Sequence, residues 1–375
     1  LTFGAFQTMR SLVAMIDNHP GFEAAGLVTV PVSLTPGFTT DHRNRMASEV
    51  LDRIRNIPGV TSVGAGRSVP FEYQGSDRNG WQAAVRDAEQ PDTPEPFSCI
   101  IHPVTAGYFE ALGAEIIMGR EFEPDEGLTN ELLAVINQNA AMQLFGTVEA
   151  VGQRIQIGGE RIFTVIGVSR GIQHWGTTQA PGFEVYIPDP PGGGFMERIC
   201  YLVRSDTALE ELAPAIQEAI WSVDPTVPVD RFVAMEELVG GALERPRFLV
   251  ALFLTFAVVG LALAGGGIYA TMLFWVGQRK RALGIRMALG ANGRQVILLT
   301  LKKAIYLAGI GIVAGLLFVI LTSVALRSII WGVPLVDALT LFGVAVMILA
   351  ITLTASIVPA WRASRADPVE VLRAD

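Results

Sequence analysis

Phe248 to Gly277 reads FLVALFLTFAVVGLALAGGGIYATMLFWVG and contains no charged side chain. A bilayer's hydrocarbon core is about 30 Å thick and takes ~20 helical residues to cross, so this stretch is long enough to span it. Two more follow, Ala304 to Leu326 and Ala338 to Trp361, equally free of charge. The last third of the chain is therefore expected in the membrane, and what precedes it reads as a globular head. The predicted layout is a remnant of an earlier helix and a connector over 1–22, an extracytoplasmic domain over 23–240, and a transmembrane domain over 241–375 with spans at about 248–277, 304–326 and 338–361.

Charge divides the chain in the same place. Residues 1–246 hold 32 Asp and Glu against 16 Lys and Arg, a net of −16, while the remainder holds 4 against 12, a net of +8. Basic residues beside spanning helices stay preferentially in the cytoplasm. Here they gather at Arg279, Lys280, Arg281, Arg286, Arg294, Lys302 and Lys303, between the first two spans, and at Arg362, Arg365 and Arg373 after the third. Both groups are expected inside, against anionic lipid, which puts the loop from Arg327 to Asp337 and the acidic head outside. The chain opens on Leu1 with no recognisable signal peptide. Leu1 to Met9 is mostly apolar and meets Arg10 abruptly, which suits either the outer end of a truncated first span or an amphipathic lead-in to the head.

From Gly26 to Val239 short β-rich runs alternate with amphipathic helices, the pattern of a mixed α and β domain of one or two subdomains. Strands are predicted at Leu27 to Leu34, Val60 to Gly64, Cys99 to Val104, Leu133 to Asn137, Tyr201 to Arg204 and Val227 to Val229, with a hairpin of Arg154 to Ile157 and Arg161 to Val168 around Gly158-Gly159. Helices are predicted at Thr39 to Ile57, Ala106 to Leu112, Gln138 to Phe145 and Leu209 to Val223. Phe71 to Pro96, rich in Gly, Asp, Gln and Pro, reads as an excursion of weak structure. Cys99 and Cys200 both fall in strand-like contexts outside the membrane, where a disulfide persists if their strands are neighbours and a buried thiol is the other outcome.

No catalytic constellation is legible. The four histidines, His19, His42, His102 and His174, are scattered without metal-ligand spacing, and neither cysteine belongs to a C-x-x-C pair, so neither a metal site nor a cofactor is expected. There is no phosphate-binding G-x-x-x-x-G-K-[ST] loop and no G-x-S-x-G elbow, and Gly192-Gly193-Gly194 reads as a turn. ATP, if used, is hydrolysed by another polypeptide. A head of net charge −16 repels nucleic acid.

Within the spans, Gly260, Ala264 to Gly267, Gly309, Gly311 and Gly315 are small, and Gly311-x-x-x-Gly315 matches a close-packing motif. The ordinary reading is helix packing within one chain; the other is a seam with a second copy or second unit. No span carries an ionisable residue at its centre, which argues against a channel or a carrier with a polar path through the bilayer. The inner loop, Gln278 to Leu289 (QRKRALGIRMAL), reads as a short basic helix stopped by Gly290 and followed by an Asn292-Gly293 turn.

That loop carries a family resemblance. Gly284-Ile285-Arg286-Met287-Ala288-Leu289-Gly290-Ala291, with Gly267-Ile268-Tyr269 upstream and Pro359-Ala360-Trp361-Arg362-Ala363 to Asp367-Pro368 at the end, resembles the MacB/FtsX-type ABC transporter permeases. In the head, Pro58-Gly59-Val60, Gly107-Tyr108-Phe109-Glu110-Ala111-Leu112-Gly113, Gly119-Arg120-Glu121-Phe122 and Gly152-Gln153-Arg154-Ile155 are similar to the MacB-type periplasmic core, and Thr8 to Phe22 to the stretch after that family's first span. In particular the chain resembles the second unit of the duplicated permeases described from Acidobacteria. The resemblance implies an α+β periplasmic MacB-like core domain followed by an all-α transmembrane bundle, with three complete spans and a truncated first, in a bacterial inner membrane. It implies that the inner loop docks on a cytoplasmic ABC ATPase, with Arg279, Arg281, Leu283, Gly284, Ile285, Arg286, Met287, Ala288, Leu289 and Gly290 as the coupling residues. Ala282 departs from the family's usual Glu, and Trp361 from its commoner Arg, so a contact to the ATPase is lost at the first.

Three functions are consistent with this sequence. The first is a permease subunit without catalysis of its own, coupling a partner's ATP hydrolysis to mechanical movement of the outer domain for export or envelope work. The second is a membrane-anchored scaffold or sensor whose head binds envelope partners. The third, an anchored enzyme, lacks any visible nucleophile-base pair.

Overall fold

The computed structural model describes residues 6, 9, 10, 13, 19–33, 40–67, 69–71, 81–89, 97–124, 126, 131–159, 161–174, 181–188, 198–288, 292–326 and 338–364. The chain divides into two compact units, Met15–Glu244, and Leu1–Ala14 with Arg245–Asp375.

The first unit, the head, runs in chain order β1 (Leu27–Ser33), α1 (Thr40–Arg55), β2 (Val60–Gly66), β3 (Trp81–Asp87), β4 (Phe97–Val104), α2 (Tyr108–Leu112), β5 (Ile116–Gly119) and β6 (Leu133–Asn137). It continues α3 (Gln138–Phe145), β7 (Arg154–Ile157), β8 (Arg161–Ser169), β9 (Glu184–Pro188), β10 (Arg198–Ser205), α4 (Leu209–Trp221) and β11 (Val233–Ala234). All eleven strands connect in one sheet, but the sheet has two parts joined by the single register pair Gly66 and Val104.

In the first part β11, β1, β10 and β2 lie side by side, all antiparallel. Alternation along the strands assigns the faces, because successive side chains point to opposite sides. Val28, Val30 and Val32 of β1 and Ile199, Tyr201 and Val203 of β10 face one core, while Cys200 and Leu202 face another. Helices α1 and α4 cover the first of these faces. Met46, Ala47, Val50, Leu51 and Ile54 form a stripe at helical spacing on α1, and Leu212, Ile216 and Ile220 repeat every four residues on α4.

In the second part β4, β3, β7, β8, β6 and β9 pair in succession, and β9 pairs back onto β4, so six strands close a ring. Closure removes the exposed sheet edge from these strands. Each contributes two alternate residues to one core: Ala83 and Val85, Cys99 and Ile101, Ala134 and Ile136, Ile155 and Ile157, Phe163 and Val165, Val185 and Ile187. The outer face of β4, β6 and β9 contributes Val104, Leu133, Val135 and Tyr186 to a third core, with Phe22, Phe71, Tyr108, Phe109 and Leu112.

The strand and helix expectations hold at most positions, with corrections. Trp81–Asp87 inside the Gly- and Pro-rich excursion is a strand, because pairing with β4 and β7 outweighs the weak β-propensity of WQAAVRD. Strands β5 and β9 have no counterpart in the expectation, and the strand at Val227 to Val229 reduces to an isolated bridge between Val229 and Val32. Cys99 and Cys200 are both buried, free thiols, since β2 separates β4 from β10. Burial, reinforced by Glu184, pushes the Cys99 thiol up to about 12.

The second unit contains α5 (Met235–Gln278), α6 (Lys280–Ala288), α7 (Gly293–Leu326) and α8 (Ala338–Ser364). Helix α5 begins before the boundary: Met235, Leu238, Val239 and Ala242 pack in the head's third core, and the charge-free stretch follows on the same helix. Forty-four residues at 1.5 Å rise give about 66 Å, roughly twice the hydrocarbon thickness. Helices α5, α7 and α8 are each long and apolar enough to cross a membrane. The start of α7 meets the end of α8, where a Cβ on Gly293 would stand 3.5 Å from Ser364 Cβ. Arg294 and Arg362 therefore share one end of the bundle. At the other end Arg10, in a helical stretch with Phe6, Met9 and Val13, donates to Thr340 Oγ1 at 3.0 Å. Residues 327–337, Arg365 and Arg373 lie outside the described residues.

One tight joint in the head is between β2 and the turn before α2. Gly107 and Gly113 bracket α2 with φ of 80° and 64°, conformations that favour glycine, and a Cβ on Gly64 would stand 2.6 Å from the Gly107 carbonyl and from Tyr108 Cα. Backbone cannot step aside as a flexible side chain can, so Gly64→Ala is expected to cost about 1–3 kcal/mol. The check is the thermal-unfolding midpoint of the purified full chain; an unchanged midpoint would show that this joint has room to spare.

Candidate functional site

The inner loop is a helix, and its attachment follows from two residues one turn apart. Leu283 is buried and Met287 half-buried, four positions on, so both lie on one side of α6. They pack on Val276 and Trp275 at the end of α5 and on Val296 in the first turn of α7. The backbone barely breaks between α5 and α6. Arg279 N–H donates to the carbonyls of Trp275 and Val276 at 3.3 and 3.2 Å, and Leu283 N–H to Arg279 O at 2.9 Å. The Arg279 guanidinium lies 5.1 Å from the centre of the Trp275 ring, a cation–π contact that steadies the turn.

The opposite side of α6 is open. Arg281, Ala282, Ile285 and Arg286 are exposed, as is Arg279. Ala282 precedes Arg286 by four residues, the spacing at which a Glu would pair with it, so α6 itself supplies no acid beside Arg286. Of the predicted coupling residues, Arg281, Ile285 and Arg286 are exposed on α6, Arg279 is exposed one turn before Leu283 with its guanidinium on Trp275, and Leu283 and Met287 pack on α5 and α7. Gly284 and Ala288 lie within α6, and Leu289 and Gly290 outside the described residues. The loop's alternating residue types conceal this division; only the positions of Val276 and Val296 reveal which side is covered.

Among the described residues, most of the small residues of the spans meet no neighbour at contact distance. A Cβ on Gly267, Gly311 or Gly315 would meet no heavy atom within 4 Å, and Ala264 is exposed. Gly260 is half-buried, and Gly265 alone of the small run approaches a neighbour, Ile351 of α8, at 3.6 Å. On α7 the buried positions are Val296, Thr300, Ala304 and Ala308, while Ile305, Ile310, Val313, Leu317 and Phe318 are exposed.

Sequence spacing also hid a cluster in the head. His102 on β4, Glu184 on β9 and His174 in the segment after β8 are all buried, and one donor atom from each lies within 4.8 Å of the others. The two imidazoles stack with centroids 4.1 Å apart. Tyr186 Oη donates to Glu184 Oε2 at 2.8 Å and lies 3.1 Å from His174 Nε2, while Asn137 Nδ2 donates to the Gly182 carbonyl at 2.7 Å and approaches the same carboxylate oxygen at 3.5 Å. Among the described residues His102 Nε2 and Glu184 Oε1 have no hydrogen-bond partner, at a typical cost of ~1–3 kcal/mol per buried group. Burial dominates the titration of all three: it raises Glu184 to about 8 and lowers His102 to about 3, and it holds His174 well below its usual value, with help from His102. The residues are 10 to 82 positions apart in the chain, and no local motif joins them. His19 accepts from Gly21 N–H, and the His42 side chain lies outside the described residues.

Two family models cover the chain: the MacB-like periplasmic core domain over 1–219 and the FtsX-like permease C-terminal region over 254–368. Among similar proteins, an ABC transporter permease of Bacillus subtilis, YknZ, described as uncharacterized, is 24% identical over 285 residues, covering 74% of this chain and 71% of that one. The macrolide export ATP-binding/permease protein MacB of Vibrio parahaemolyticus is 25% identical over 371 residues, covering 93% of this chain and 52% of that one. The chain thus spans about half the length of that longer relative. The crystal structure of the periplasmic region of MacB from Actinobacillus actinomycetemcomitans aligns at 14% identity with a TM-score of 0.40, covering 61% of this chain and 98% of that one.

Truncating the anchor tests the site's construction. Leu283→Ala removes a buried side chain, a change that typically costs 2–5 kcal/mol, and is expected to expose the loop over 279–290 to protease in inside-out vesicles. Ile285→Ala, on the exposed side, should leave cleavage unchanged; equal sensitivity of both variants would refute the assignment of faces.

Proposed function

We propose, from the premise that this chain belongs to the family of ABC transporter permeases built from a MacB-like periplasmic core domain and an FtsX-like permease C-terminal region, that it is a permease subunit with no catalysis of its own, driven by a separate cytoplasmic ATPase. It is a multi-pass inner-membrane protein with a large periplasmic domain. The observation that carries the proposal is the two-sided α6: Leu283 and Met287 hold it to the ends of α5 and α7, and Arg279, Arg281, Ile285 and Arg286 remain outward for a partner. Such a face suits a partner groove with acidic walls and an apolar floor.

Force reaches the head along the backbone in this reading. Helix α5 runs from Met235, in the head's third core, to Gln278 before α6, with Pro246 removing one backbone donor between them, so the path of the force in this reading is this one continuous stretch of chain. The spans carry no charge at their centres and offer no polar path for cargo, which supports mechanical transmission over passage through the bundle. The open faces at Gly267, Gly311 and Gly315 suit close contact with a second permease unit or a second copy of this chain, because small residues let helices approach in lipid. Ala282 in place of an acid favours one other reading, a membrane-anchored scaffold or sensor that never engages an ATPase.

Arg286→Glu separates the two. Placed on the exposed side, it is expected to leave folding intact and to abolish co-purification of the ATPase from native membranes. Retained binding after this reversal would count against coupling through α6 and leave the scaffold. For the seam, Gly315→Cys is expected to cross-link to a second spanning unit in the membrane, whereas labelling by lipid-phase reagents with no cross-link would assign that face to lipid.

A further inference from the structure

The head's buried cluster does something the coupling mechanism does not require. We propose that His102, His174 and Glu184 form a site for a divalent transition-metal ion, with Zn2+ the best chemical match, that ties the six-stranded ring to the head's third core. Two imidazoles and a carboxylate are the donor set that suits Zn2+ among the common divalent ions; Ca2+ and Mg2+ call for oxygen ligands throughout. All three side chains are at least nine-tenths buried, and each comes from a different element: β4, the segment following β8, and β9. A shared ion would therefore cross-link three pieces of chain that packing and hydrogen bonds already bring together.

The surroundings are those of a ligand set. Metal-bound carboxylates and imidazoles are ordinarily held by an outer layer of hydrogen bonds that fixes their orientation. Here Tyr186 Oη donates to one oxygen of Glu184, and Asn137 approaches the same oxygen, so the second oxygen, Oε1, is the one left without a partner. His102 Nε2 is left in the same condition. His174 is steadied through Nε2 by Tyr186 Oη.

The geometry must tighten. Donors around a tetrahedral ion at 2.0–2.1 Å stand about 3.3 Å apart, against the 4.8 Å within which these atoms now lie. The stacked rings must also turn their nitrogen lone pairs toward one point. Three protein ligands leave a fourth position for water. This site makes no use of the ATPase and stands whether or not α6 couples to one.

Untagged full-length protein, purified in detergent and stripped with a chelator, tests the assignment with Zn2+ by calorimetry and Co2+ by visible absorption. The expected result is one equivalent per chain, the intense d–d bands of low-coordinate Co2+, and a thermal midpoint raised by Zn2+. Glu184→Gln keeps the volume and the bond from Tyr186, so it should remain folded and weaken metal binding by more than about 100-fold; Tyr186→Phe, beyond the ligands, should weaken it ~10–100-fold. Absence of uptake by the unmodified chain overturns the proposal without recourse to any variant. So does a Co2+ spectrum that persists unchanged in Glu184→Gln.

Discussion

Everything in the second unit follows from one constraint: a chain inside lipid must satisfy its own backbone hydrogen bonds and cannot easily hold charge. Three long helices are the result, and their cations are displaced to the ends. The short basic helix α6 falls in the charged segment between two of these spans. Its apolar side, Leu283 and Met287, packs on Val276 and Trp275 of α5 and on Val296 of α7, while Arg281 and Arg286 are exposed.

The head meets a different constraint with a different device. A sheet of eleven strands would leave long edges, and the ring of β4, β3, β7, β8, β6 and β9 removes them by pairing β9 in parallel with β4. Because each ring strand turns alternate residues inward, its other residues are available to a second core. Tyr186 packs there beside Phe109, with ring centroids 4.9 Å apart, while its neighbours Val185 and Ile187 fill the ring. The two parts of the head are thus joined by packing through shared strands, since β2 and β4 pair at only one position. Arg204 adds a polar clasp, donating to the carbonyls of Ala111, Ala25 and Glu23 at 2.8–2.9 Å.

Much of this was legible in order along the chain. The spans announce themselves by absence of charge, and α1 and α4 by apolar residues at helical spacing. The Gly107 to Gly113 motif yields α2 with its two glycine ends where the local sequence puts them. Strand β3 was not legible, since Trp81, Gln82, Ala83 and Ala84 carry no strong strand signal and gain their conformation from Ile101, Ile100, Cys99 and Ser98 opposite. Strand β9 hides for a related reason: Glu184 and Tyr186 interrupt its apolar pattern because they serve the cluster on the outer face.

Sequence by itself determined the partition between water and lipid, the direction in which the charges point, and the identity of the inner loop as a basic helix, because transfer free energy and local backbone preference act residue by residue. It could not determine which side of α6 is covered, whether the glycines of α7 touch a neighbour, or that His102, His174 and Glu184 meet. Those depend on contacts between residues on different elements, such as Leu283 with Val276 and Val296, or β4 with β9, where His102 and Glu184 stand 82 positions apart in the sequence. Tertiary packing decides them, because it is the closure of the ring and the antiparallel return of the helices that bring such residues within reach of one another.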